Sequence, residues 1–283
     1  MKMFQTGFVL LLLSLSAAIA QVTVEVVPAQ AQFLPDESLF VKVRVSNLSG
    51  KMLALGADQE WLKLSVESRE GFVVSKSGEV PVQGEFTLDS SKVAVKRLDL
   101  APCFSLLRPG CYTVTATVRV PGWVQEFSSP PVAFDIIQGT KLWEQEFGVP
   151  STNAAAGEPE VRKYVLQQAN YLKQLQLYVR VSDGAGAKTF RVCSIGRMVS
   201  FSQPETQLDK FSRLHVLWQT GARAFAYRIV NPDGEVIGQQ TYDYTATRPK
   251  LRLNEDGKII VSGGAQRLTR DDLPASAPLP AKP

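Results

Sequence analysis

The chain has 283 residues, a formal net charge of +4, and 45% hydrophobic against 20% charged residues. That balance is globular rather than disordered, and Lys and Arg are scattered among Asp and Glu without the basic run or face of a nucleic-acid binder, so no nucleic-acid partner is expected. Three cysteines and a single histidine are too few and wrongly spaced for a zinc site, and neither metal nor cofactor is expected.

Residues 1–20 read as a signal peptide. Lys2 supplies a charge, Phe8 to Leu13 opens a short apolar run, and Ala18 and Ala20 precede a cut before Gln21. The run is shorter than the ~20 residues of a spanning helix. No cysteine follows the cut to take a lipid anchor, and no later stretch is apolar for long enough to cross a bilayer. The expected destination is the periplasm or the exterior, with no membrane span after cleavage.

Strand patterns begin at once. Val22, Val24 and Val26 alternate with Thr23 and Glu25, Val41 to Val45 alternates with Lys42 and Arg44, and Leu62 to Val66 with Lys63 and Ser65. Period two with one polar face marks antiparallel strands packed on one side. Phe86 to Leu88, Val93 to Leu100, Tyr112 to Val120 and Val132 to Ile136 continue the series, parted by Gly, Pro, Asp and Ser turns. Over residues 21–139 this predicts a β-sandwich. Within it, Leu107-Arg108-Pro109-Gly110-Cys111-Tyr112-Thr113-Val114 resembles the lead-in to a late strand of bacterial envelope immunoglobulin-like domains. The resemblance implies an immunoglobulin-like sandwich in which Tyr112 packs at a sheet corner and its hydroxyl reaches a backbone group. It implies little about function, since such sandwiches serve as spacers, adhesins, inhibitors and enzyme appendages.

Residues 140–165 read as a linker, centred on the turn-rich stretch from Pro150 to Pro159, although Gly139 to Phe147 could still belong to a sheet with Trp143 inward. Residues 166–266 contain a repeat. Leu177-Tyr178-Val179-Arg180-Val181 aligns with Leu214-His215-Val216-Leu217-Trp218 at a spacing of 37, with a weaker copy at Leu251-Arg252-Leu253. Each is followed by a turn and a partner strand, which predicts an antiparallel β domain of repeated meanders. The Leu214 to Trp218 strand weakly resembles the blades of sialidase-type propellers. Three copies are fewer than a closed propeller needs, and the Ser-x-Asp-x-Gly box of those repeats is missing. Residues 267–283 read as a flexible tail or a short docking segment.

Chemistry is sparse. His215 lies opposite in phase to Leu214 and Val216, which predicts a surface-facing sheet residue more readily than a catalytic base, and no Gly-x-Ser-x-Gly elbow is present. Asp243, flanked by Tyr242 and Tyr244, has the composition of a sugar or peptide groove, with Tyr178 and His215 as further candidates. A glycosidase would need a second carboxylate from another strand, and Asp209, Asp233 and Glu235 all fall in turn-like sequence. Trp123, in Pro121-Gly122-Trp123, is a candidate contact residue or else the cap of a sandwich end. Cys103 and Cys111 lie eight apart, so either a disulfide closes their loop or all three cysteines are unpaired, with Cys193 a buried thiol. The reading is an all-β, exported, non-catalytic structural or binding protein of a bacterial envelope, with a protein or glycan ligand. A polysaccharide hydrolase or lyase is the alternative, and a protease inhibitor using the Cys103 to Cys111 loop is a third.

Overall fold

A computed structural model describes residues 22–149 and 160–268. The signal segment, residues 150–159 and nearly all of the predicted tail lie outside the described residues. The fold is all-β. Among the described residues, the one helical element is a single 3-10 turn, Gln59–Trp61, whose amides at Glu60 and Trp61 are capped by Asp58 Oδ1 at 2.8 and 3.0 Å.

The first domain contains β1 (Val22–Pro28), β2 (Gln32–Phe33), β3 (Phe40–Asn47), β4 (Leu53–Leu55), β5 (Leu62–Ser68), β6 (Phe86–Leu88), β7 (Val93–Asp99), β8 (Gly110–Arg119), β9 (Glu126–Ser128) and β10 (Val132–Ile136). One sheet runs β1-β3-β7 and the other β2-β10-β8-β5, with β9 beside β8. Alternating residues from both, such as Val24, Val43, Tyr112, Val114 and Phe134, form one shared core. Each such side chain contributes roughly 1.5–3 kcal/mol on burial. Tyr112 is fully buried and its hydroxyl donates to the carbonyl of Arg108 at 2.6 Å. Strand β7 is an edge. Its inward residue Lys96 lies 5.7 Å from the ring centroid of Trp61, and its ammonium donates to the carbonyls of Val82 and of Gln83, the latter at 2.9 Å.

All three cysteines are free, so the bridge between Cys103 and Cys111 does not form. Strand alternation is the reason. In β8 it aims Tyr112, Val114 and Ala116 into the core and therefore turns Cys111 to the other face, whereas Cys103 is buried with the core. The thiol of Cys103 reaches Glu79 O at 3.5 Å.

The second domain contains β11 (Thr140–Val149), β12 (Glu160–Tyr171), β13 (Gln174–Asp183), β14 (Thr189–Arg197), β15 (Glu205–Leu208), β16 (Leu214–Gln219), β17 (Ala224–Val230), β18 (Val236–Asp243), β19 (Lys250–Leu253), β20 (Ile259–Ser262) and β21 (Ala265–Arg267). Much of the expected linker is therefore strand, because Thr140 to Val149 pairs antiparallel with Glu160 to Gln168. Strand β11 sits at the edge of its sheet and buries few residues, so its polar sequence marked Gly139 to Phe147 as no more than a possible strand within the linker. Sheet β11-β12-β13-β14 faces sheet β15-β16-β17-β18-β21 across a core of Tyr164, Leu166, Val179, Leu214, Val216 and Trp218. Each hairpin expected from the repeat is present, and the third, β19-β20, stands as its own two-stranded unit.

The two domains meet on the outer face of β12 to β14. Leu34 packs there with Ala169, Tyr178 and Val192. Arg180 pairs with Asp36 at 2.7 Å and donates to Pro35 O at 2.8 Å, while Thr189 Oγ1 donates to Asp36 Oδ2 at 2.9 Å. Leu172 N donates to Gln32 Oε1 at 2.8 Å. A charged hydrogen-bond network of this kind, half-sheltered from water, is worth about 1–3 kcal/mol.

Two outcomes are expected. Non-reduced protein has the mass of three free thiols, and a thiol reagent modifies Cys111 before Cys103 or Cys193; loss of two hydrogens on oxidation would contradict the observed geometry. Arg180→Ala lowers the free energy of unfolding by about 1–3 kcal/mol in urea titrations and loosens the interdomain junction to limited proteolysis.

Candidate functional site

The candidate residues disperse. Tyr178, on β13, is 2% exposed and closes the domain interface. Trp123 follows β8, meets Phe127 edge-to-face with centroids 5.8 Å apart, and covers the end of the first sandwich. Tyr242, on β18, packs with Leu217, Phe225 and Tyr227, and its hydroxyl donates to Gln240 Oε1 at 2.6 Å. Alternation turns Asp243 to the opposite face, where Arg267 Nε of β21 donates to it at 2.8 Å. Tyr244 is half-exposed; its carbonyl accepts the Arg223 guanidinium at 2.8 and 3.0 Å. Of the candidates, only His215 and Tyr242 share one surface of the second domain.

That surface is the outer face of β16 to β18. Cross-strand register places His215 opposite Ile229, Leu217 opposite Tyr227, and Phe225 opposite Tyr242. Its phase is the predicted one, yet His215 is not surface-facing: it is 4% exposed. Hairpin β19-β20 lies over this face, with Leu251 and Val261 packed on its apolar patch. Every residue of β16 is buried in consequence.

Asp209, dismissed by the sequence pattern as a turn residue, proves to be the organising group. Its Oδ1 accepts from the amides of Phe211 and Arg213, both at 2.9 Å, and its Oδ2 accepts from Arg213 Nε at 2.7 Å and from His215 Nε2 at 3.3 Å. Burial alone would push this carboxyl up, but the Arg213 amide and guanidinium, His215 and the Phe211 amide outweigh it and hold the pKa below the usual value. A carboxylate only accepts, so His215 Nε2 carries the proton and Nδ1 accepts the Tyr227 hydroxyl at 2.6 Å. Burial lowers the pKa of His215, with the Asp209 bond opposing in part. Burial pushes the phenol of Tyr227 up to about 12. At neutral pH the chain is thus ionised Asp209, neutral His215 and protonated Tyr227. The signal that sequence reading missed is Asp209-x-x-x-Arg213-x-His215, a turn whose carboxylate bonds forward onto the following strand.

A cavity of about 200 Å³ opens beside this chain. Asp209, Lys210, Phe211, Arg213, His215 and Tyr227 line one side, and Gly257, Lys258 and Ile259 of the hairpin line the other. Among the described residues, no group of three or more His, Cys, Asp or Glu could hold a metal ion, and no helix is long and apolar enough to cross a membrane.

The geometry defines an all-β protein with a buried Asp-His-Tyr chain at the margin of a small cavity. The chain matches no protein-family model and no curated protein.

Because the folded pKa of His215 is depressed, the unfolded imidazole takes up its proton first as pH falls through 6.5. Its contribution to stability is complete above that value and is lost on acidification below it. The sole imidazole should titrate below 6.5 by proton NMR, and a midpoint at or above 6.5 would contradict the buried geometry.

Proposed function

We propose that the chain is an exported, non-catalytic structural or binding protein of a bacterial envelope. Its N-terminal immunoglobulin-like sandwich serves as a spacer or docking domain, and its second domain presents the contact surface to a protein or glycan. One observation carries this reading: the aromatic and ionisable side chains that a catalytic groove would need are each engaged in holding elements together. Tyr178 closes the domain interface, Tyr242 packs beneath a hairpin, Asp243 pairs with Arg267, and both nitrogens of His215 have partners. A hydrolase or lyase needs an acid and a base that meet substrate in one groove. The interdomain contacts of Asp36 with Arg180 and Thr189 suit a spacer, because they hold the second domain at a set angle to the first.

The protease-inhibitor reading has less support. Its loop lacks the Cys103–Cys111 clamp, and Cys103, Phe104 and Leu106 are buried in the sandwich core.

The test is co-sedimentation with isolated sacculi and outer-membrane vesicles, with the supernatant assayed for released sugar ends and unsaturated uronic products. The expected result is binding without release. Product formation that falls on His215→Ala or Asp243→Asn would overturn the proposal in favour of the enzyme.

A further inference from the structure

The cavity beneath the β19-β20 hairpin has a charge balance that its internal contacts do not explain. Asp209 is matched by Arg213 and by three N–H donors besides. Two more cations, Lys210 and Lys258, line the same space, and neither forms an ion pair among the described residues. Lys210 has only the ring of Phe211, 5.2 Å from its ammonium. Like charges gathered around a concave, partly dry space raise the local potential and favour an anion.

The backbone turns that carry both lysines are held in place before any ligand arrives. Lys210 sits in a turn closed by Ser212 N to Asp209 O at 3.0 Å and tied to β11 by Ser212 Oγ to Gly148 O at 2.9 Å. Lys258 ends the hairpin turn, where its own amide donates to Asn254 Oδ1 at 2.7 Å and Gly257 takes φ +71°. Side chains carried on fixed turns lose less entropy on binding than side chains of a mobile loop. Between them lie the buried His215 and Tyr227. Phe211, 61% exposed, stands at the rim with the Arg213 guanidinium 4.8 Å from its ring centroid. A space of about 200 Å³ is smaller than the roughly 300–1,000 Å³ of sites that enclose a whole drug-sized ligand, and suits one acidic group.

We propose that this cavity binds an oxyanion, the carboxylate of an acidic sugar or a phosphate group, held between Lys210, Arg213 and Lys258. The proposal deepens the binding-protein reading given above and rests on it only for the wider ligand that would carry the group. Phe211 provides an apolar ring face for whatever ring bears the anion.

The chain contains one histidine, so the imidazole signals of the full-length protein report on this site without assignment. They would be followed by NMR at constant ionic strength while inorganic phosphate, acetate, glucuronate or glucose is added. Saturable shifts with at least one anion and none with glucose are expected. In the Lys210→Ala/Lys258→Ala variant the affinity should fall by about tenfold or more, the factor for one lost charge-assisted hydrogen bond. Glucuronate binding more tightly than acetate would identify a sugar acid as the source, and phosphate binding most tightly would identify a phosphate group. The absence of any saturable shift would overturn the proposal, as would shifts that persist unchanged in the double variant. Small probes make this outcome independent of the sedimentation result, so either reading can fail alone.

Discussion

Each sheet of the second domain has an apolar inner face and, on its outer face, an apolar patch, and the need to cover those two outer patches organises the whole molecule. The inner faces cover each other through Tyr164, Val179, Leu214 and Trp218. On the outer face of the first sheet, Tyr178 and Val192 are covered by Leu34 of the preceding domain. On the outer face of the second, Leu217, Phe225 and Tyr227 are covered by the hairpin carrying Leu251 and Val261. Sheets buried on both sides give near-continuous apolar strands instead of alternating ones, and Leu214 to Trp218 has that character. The repeat thus places Tyr178 and His215 at equivalent positions with different covers. One position became a domain junction, and the other the wall of a cavity.

The strands of the first domain were legible because each buries one face, and alternation records that directly. The hairpins of the second domain were legible through their repeat. What could not be read was anything that depends on which element covers which face. His215 has the phase of a solvent-facing residue and is buried only because a hairpin forty residues on lies across it. The Cys103 to Cys111 spacing permitted a bridge, but Cys111 falls on the wrong side of the β8 alternation. Strand β11 could be read only as a possibility over Gly139 to Phe147, inside a segment taken for a linker, because an edge strand buries too little to leave a clear pattern. Asp209 was visible as a turn residue, yet the chain it begins is completed by Tyr227, which only strand pairing brings to His215.

The polar chain at the cavity also follows from coverage. A histidine beneath a hairpin must have both ring nitrogens satisfied, since an unpaired buried nitrogen costs about 1–3 kcal/mol. The turn before β16 supplies Asp209 to one nitrogen, and the neighbouring strand supplies Tyr227 to the other. Asp209 is in turn kept ionised by Arg213 and by amides of its own turn. Each partner is local or one strand away, so the network assembles together with the sheet it stabilises.

Lys96 carries a consequence for the first domain. Strand β7 offers an unpaired edge beside β3, with Val93 and Val95 exposed on its outer face, a surface of the kind that recruits strands from other chains. A second strand docking there would have to strip the ammonium from the carbonyls of Val82 and Gln83 and leave a bare charge between apolar side chains. A single inward-pointing lysine thus lets the sandwich keep an open edge without that edge seeding a continuous intermolecular sheet.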